Sequence, residues 1–185
     1  MAESAHHSHD HAGHDHHGCQ HAHDRKADAE GIMARAEAHC RAAGSRLTPM
    51  RRAVLSELVA DHRPLGAYEL VERVSKREGR RLAPVSVYRA LDFLVDNAFV
   101  HRLTSRNAFI ACPHTHDSAS PVVFLICDSC GGVDEVMTQG VASALDEAAE
   151  RAGFLPHRRM IEINGLCAHC RAGGDPRNTE QKKAA

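Results

Sequence analysis

Apolar residues recur at helical spacing through the first half of the chain and give way to short β-prone runs in the second. Residues 29 to 43 (AEGIMARAEAHCRAA) are rich in helix formers and end at Gly44, which predicts a first helix. In LTPMRRAVLSELVAD, Thr48 stands as N-cap, Pro49 at the first helical position, and Val54, Leu55, Leu58 and Val59 share a face, so a second helix runs to about Asp61. Pro64 and Gly66 mark a turn before AYELVERVSKREG, a third helix with Leu70, Val71 and Val74 on its apolar side. A fourth helix, from Pro84 to near Asn97, carries Val87, Leu91, Leu94 and Val95. FVHRL and AFIAC then flank TSRN, the composition of a hairpin with a polar turn centred on Arg106 and Asn107. Helices followed by such a hairpin predict a winged helix-turn-helix.

Past the loop CPHTHDSASP, which has turn formers and no periodicity, the pattern is PVVFLIC and GGVDEVM as strands, GVASALDEAAERAG as a helix stopped at Gly153, and HRRMIEINGLC as a third strand. The fold class expected is α+β: a winged-helix domain over residues 26–112, a hinge loop over 113–121 and a small α/β domain over 122–172, with tails at 1–25 and 173–185. The second domain has too few core residues to stand alone, so pairing with a second copy in a homodimer is expected.

Composition changes this picture at the N-terminus. The first 24 residues hold nine of the sixteen histidines and almost no large apolar side chains, so they are expected to remain disordered. Such a tract can hold divalent metal loosely, as a zinc buffer or carrier would, or simply be solvated. No apolar run is long enough to span a membrane, and the N-terminus lacks a secretory apolar core, so a cytoplasmic protein is expected.

The formal net charge of −1 conceals an asymmetry: residues 25 to 112 carry 16 basic against 10 acidic side chains, and residues 113 to 185 carry 7 against 10. A basic first domain suits phosphate neutralisation, although many proteins that never meet DNA also have a positive face. In the fourth helix, Ser86, Tyr88 and Arg89 occupy the half where a recognition helix meets DNA, Arg89 as guanine reader and Tyr88 as phosphate donor. The alternative is an ordinary exposed face. Tyr68, which opens the third helix, either reaches a phosphate or caps the core.

Seven cysteines in a reducing compartment argue for metal rather than disulfides. Cys127-Asp-Ser-Cys130 and Cys167-Ala-His-Cys170 are two C-x-x-C pairs, and two residues between thiolates let each pair grip one ion. Four thiolates make a closed tetrahedral zinc site with no position open to substrate. Cys19 and Cys40 have no assigned role. A second constellation is His101, Cys112, His114, His116 and Glu135. With the turn at Arg106 and Asn107, His101 and Cys112 are directly opposed across the hairpin and close enough to share an ion that ties the wing to the second domain. The alternative is a surface histidine and a buried thiol that behaves as a small hydrophobe.

The string VSVYRALDFLVDNAFVHRL, the cysteine after the wing, FLICDSCGGVDEV and GFLPHRRMIEINGLCAHC together resemble the ferric uptake regulator family, most of all its zinc uptake regulator branch, over nearly all of residues 30 to 170. The resemblance implies a winged-helix DNA-binding domain, a dimerisation domain with structural zinc on Cys127, Cys130, Cys167 and Cys170, and a regulatory metal on His101, Cys112, a loop histidine and Glu135. That makes two Zn2+ per chain. Similar proteins place the loop histidine nearer the strand leading to the first C-x-x-C, where this chain has Ser120; His116 is preferred as the substitute, with His114 the alternative. Iron-sensing members carry a histidine-rich run before the first C-x-x-C, and SASPVVFLI stands there instead. The expected function is a zinc-responsive repressor, binding a palindromic double-stranded operator when the hinge site fills. An iron, manganese or nickel sensor is the alternative within the family; a zinc carrier, or an enzyme with an open zinc site, lies outside it. No base at a telling spacing and no phosphate-cradling glycine loop favours an enzyme.

Overall fold

The computed structural model describes residues 29–61, 63–113, 121–136, 139–156 and 159–172. The histidine-rich tract with Cys19, the loop residues His114, His116 and Ser120, and the C-terminal tail lie outside them.

The helices form where local signals ask for them. They are α1 (Ala29–Ala42), α2 (Pro49–Ala60), α3 (Ala67–Glu78) and α4 (Pro84–Asp96). Thr48 caps α2 by accepting from the Arg51 N–H at 3.5 Å, and Pro49 and Pro84 open α2 and α4. Gly44 and Gly79 follow their helices at φ of +64° and +65°, a left-handed step that glycine takes without strain. The apolar faces meet in one core that includes Ile32, Val54, Leu55, Leu58, Leu70, Val74, Val87, Leu91 and Leu94. Each large aliphatic side chain buried there stabilises the fold by about 1.5–3 kcal/mol. Cys40 lies on the buried side of α1, in keeping with a small apolar residue.

The wing is a three-stranded sheet, ordered β1 (Leu65–Gly66), β3 (Ala108–Ala111), β2 (Val100–Leu103). The pairing of β1 with β3 is an addition to the two-stranded hairpin expected from the sequence. The hairpin register also differs. Leu103 pairs with Ala108 and His101 with Ile110, so the loop is Thr104 to Asn107 and its centre lies one residue earlier than expected. His101 and Cys112 are therefore diagonal neighbours, not directly opposed: Cys112 donates its N–H to the Phe99 carbonyl at 2.9 Å. The correction is a shift of two residues. Because side chains alternate with a period of two, both residues still point to the same face.

Both faces of β3 are covered, so every residue of the strand is buried. Val100, Phe109 and Ala111 pack into the helical core, while Leu103 and Ile110 on the other side pack against Val122, Phe124, Ile126 and Val133. The second group belongs to another three-stranded sheet, ordered β5 (Val133–Val136), β4 (Val122–Cys127), β6 (Met160–Gly165). Strand β4 runs antiparallel to β5 and parallel to β6. A parallel neighbour needs a crossover, which α5 (Gln139–Arg151) supplies; a short α6 (Ala168–Ala172) closes the described chain. Gly153, at φ +63°, follows α5. No helix among the described residues is long and apolar enough to cross a membrane.

Candidate metal centres and nucleic-acid interface

The parallel pairing of β4 with β6 brings two distant cysteine pairs together. Cys127 ends β4 in register with Gly165 near the end of β6, so both chains leave the sheet side by side. Beyond Cys127 the chain folds back at once: the Gly131 N–H donates to the Cys127 carbonyl and the Cys127 N–H to that of Gly132, both at 2.9 Å. Gly131 takes φ +70°, the left-handed geometry this knuckle needs. The Asp128 N–H donates to the Gly165 carbonyl at 2.8 Å, tying the knuckle to the chain that reaches Cys167 two residues later.

The thiol sulfurs of Cys127, Cys130, Cys167 and Cys170 all lie within 4.8 Å of one another. A tetrahedron with zinc–sulfur bonds of about 2.3 Å sets its sulfurs roughly 3.8 Å apart, so small side-chain adjustments fit the four to one ion. Backbone N–H groups of Gly132, Cys167 and Cys170 approach the sulfurs of Cys130, Cys127 and Cys167 at 3.4 Å, an arrangement that stabilises thiolate. The thiols respond unequally. Burial raises the pKa of Cys127, but N–H donors from Cys130, Cys167 and Ser129 outweigh it and hold the thiol below its usual value. Burial, and then the neighbouring sulfurs, push Cys130 well up, and Cys170 is pushed up to about 11 by burial and the same neighbours.

The second cluster spans the seam between the sheets. His101 comes from β2, Cys112 from the residue after β3 and Glu135 from β5. One ligand atom from each lies within 4.8 Å of the others. Glu135 Oε2 is 3.9 Å from both the Cys112 sulfur and His101 Nε2. The Glu135 and His101 side chains are only 1% and 10% exposed. The His101 ring also meets Phe124 edge-on, with ring centres 5.1 Å apart, which fixes the imidazole against the second sheet. A thiol, an imidazole and a carboxylate converging with their side chains buried fit a divalent cation of borderline softness. The fourth expected ligand, His116 or His114, falls outside the described residues.

Two residues at this seam escaped the sequence reading. Arg35 of α1 donates to the Pro113 carbonyl at 2.6 Å, fixing the chain just after Cys112. Glu162 of β6 accepts from the backbone of the wing turn. Arg35 belongs to no motif, and Glu162, though inside the string GFLPHRRMIEINGLCAHC, had no role assigned to it; only the tertiary fold gives them partners.

The residues expected to meet nucleic acid lie on α3 and α4, three of the four exposed. Tyr68 is 74% and Tyr88 39% exposed, and Arg89 is exposed beside Tyr88 on α4, while Ser86 is half-buried in the first turn. Tyr68 and Tyr88 line a cleft with Arg102 and Asn107 of the wing. Tyr68 therefore does not cap the core.

A family model described as the ferric uptake regulator family matches residues 42–164. The zinc uptake regulation protein of Escherichia coli (strain K12) is 36% identical over 149 residues, spanning 78% of this chain and 84% of that protein. The peroxide-responsive repressor PerR of Staphylococcus epidermidis (strain ATCC 12228 / FDA PCI 1200) is 28% identical over 142 residues, 75% of this chain and 89% of its own. Among solved structures, a zinc uptake regulator complexed with zinc and DNA superposes with a TM-score of 0.72 at 34% identity, covering 78% of this chain and 96% of that one. The crystal structure of holo XcZur gives 0.70 at 44% identity, covering 77% and 98%.

Proposed function

Since the chain belongs to the ferric uptake regulator family, we propose that it is a zinc-responsive transcriptional repressor that binds a palindromic operator as a homodimer when its hinge site is filled. The observation that carries this reading is the meeting of His101 and Cys112 from the wing with Glu135 from the second sheet, their ligand atoms within 4.8 Å of one another at the seam. Two Zn2+ per chain follow, one structural on the four cysteines and one regulatory at the hinge with a loop histidine, His116 before His114, as fourth ligand. Bound at the hinge, zinc would supply a bond set joining the wing to the second domain. His101 and Cys112 hold the wing side of that joint and Glu135 the other. A hundredfold switch in operator affinity needs only about 2.7 kcal/mol of difference between the two domain arrangements.

The relatives named for zinc support zinc as the signal, and the soft Cys112 thiol argues for it over the iron, manganese or nickel alternative. Dimerisation is supported by the exposed apolar residues of the second domain, Leu125, Phe154, Leu155 and Ile163, which a second copy would cover. A regulator of this kind works in the cytoplasm on chromosomal DNA and needs no catalytic group. The zinc-carrier alternative leaves α4 and the wing without purpose.

Tyr68, Ser86, Tyr88 and Arg89 are proposed to meet the operator, Arg89 reading a guanine edge. Arg89→Ala is then expected to cost about 1–3 kcal/mol of operator binding and to relax preference at one base pair of each half-site, in a salt-dependent gel shift. Unchanged affinity and sequence preference would remove Arg89 from the interface; binding indifferent to sequence in the parent protein would remove the regulator reading itself.

A further inference from the structure

Glu135, Phe124 and Glu162 form one row across the second sheet: Phe124 is in register with Glu135 on one side and Glu162 on the other. Residues in register on neighbouring strands point to the same face, here the face against the wing. Phe124 is fully buried beneath His101. At one end of the row Glu135 meets His101 and Cys112. At the other end Glu162 reaches the wing turn, accepting from the Thr104 N–H at 2.7 Å on Oε1 and the Ser105 N–H at 3.0 Å on Oε2. The same sheet row therefore grips the wing at both its base and its tip.

We propose that Glu162 is a positioning residue that clamps the wing turn to the second domain and so sets how much zinc the protein needs before it binds its operator. This rests on the zinc-switch reading above. A carboxylate bridging two consecutive backbone N–H groups is charge-assisted and fixes orientation as well as distance. Burial raises the Glu162 pKa, but the Ser105 hydroxyl and the two N–H donors outweigh it and hold the acid below its usual range, so the clamp is ionised at neutral pH. Arg106, the next residue of the turn, pairs with Asp128 inside the cysteine knuckle, so the wing tip is held both from within β6 and from the knuckle that follows β4. Glu162 directs both carboxylate oxygens to the wing turn. Contacts that exist only while the domains are closed favour that arrangement, and by linkage they raise the apparent affinity of any ligand that also favours it.

The test uses the full chain and its operator. Zinc affinity of the hinge site is measured without DNA by competition with a chromophoric chelator, operator affinity is measured across free zinc, and thermal unfolding is followed in parallel. Glu162→Gln is expected to need about tenfold more free zinc for half-maximal operator binding, with hinge zinc affinity reduced by the same factor without DNA. Operator affinity at saturating zinc should change by less than about twofold, and unfolding and four-cysteine zinc content should be unchanged. Glu162→Asp keeps the charge and should shift the zinc requirement the same way by a smaller factor. An unaltered zinc requirement in both variants overturns the proposal. So does a uniform loss of operator affinity at every zinc level with hinge affinity intact, because a residue serving DNA contact alone gives that pattern. Should the parent protein itself show no zinc-tightened binding, the switch reading fails and this clamp with it; a responsive parent with identically responsive variants defeats the clamp only.

Discussion

Cys127→Ser is expected to unfold the second domain and abolish operator binding. The cysteine ends β4 beside the end of β6, and its sulfur is one of four within 4.8 Å. Structural zinc sites supply about 10–16 kcal/mol of apparent binding free energy in small zinc domains, as much as the whole stability of an ordinary domain at about 5–15 kcal/mol. Loss of one thiolate leaves three ligands for the ion and only backbone hydrogen bonds to hold the knuckle. Zinc per chain should fall by one, near-native circular dichroism should be lost from the second domain, and operator binding should drop by more than about a hundredfold. A folded, operator-binding Cys127→Ser chain with unchanged zinc content would refute the structural site. The unequal thiols add a sign to this experiment. Cys130 is raised and Cys170 is at about 11, so both carry protons near neutral pH before metal enters. Those protons must leave. Zinc uptake by metal-free protein should release protons and tighten as pH rises from about 6.5 to about 8, by up to about tenfold per pH unit for each proton displaced.

Cys112→Ser should leave the fold and the four-cysteine zinc intact and remove the zinc response. Cys112 is 2% exposed, and its sulfur lies 3.9 Å from Glu135 Oε2. A hydroxyl in its place is nearly isosteric but binds zinc far more weakly than a thiolate. Operator affinity at saturating zinc should fall about a hundredfold, to the value seen in chelator, while thermal unfolding shifts only slightly. Glu135→Gln should act in the same direction from the other side of the seam. A normal zinc response in Cys112→Ser would show that these residues are not the sensing site.

The parts of this molecule legible in its sequence are those set by local chemistry. Thr48-Pro49 and Pro84 mark helix starts, Gly44 and Gly153 mark helix ends, and the two C-x-x-C pairs carry their own spacing. What was hidden depends on distant pairing. Strand β1 is two residues long and exists only because Leu65 and Gly66 meet Phe109 and Ala108. The hairpin register was off by two because the polar run TSRN fits a turn centred on either side of Arg106, and no local preference decides between them. An even shift preserves the face on which His101 and Cys112 meet Glu135. The parallel pairing of β4 with β6, which joins the cysteine pairs, also has no local signature, nor do Arg35 and Glu162.

The central claim, that zinc at the seam between wing and second domain governs DNA binding, is tested most directly by the operator affinity of the intact protein as free zinc is varied, with iron(II), manganese(II) and nickel(II) titrated alongside. About a hundredfold tightening with zinc is expected, at free concentrations where the other three ions have little effect. Equal affinity in zinc and in chelator, or tightening by another of these ions at lower free concentration than zinc, would contradict it.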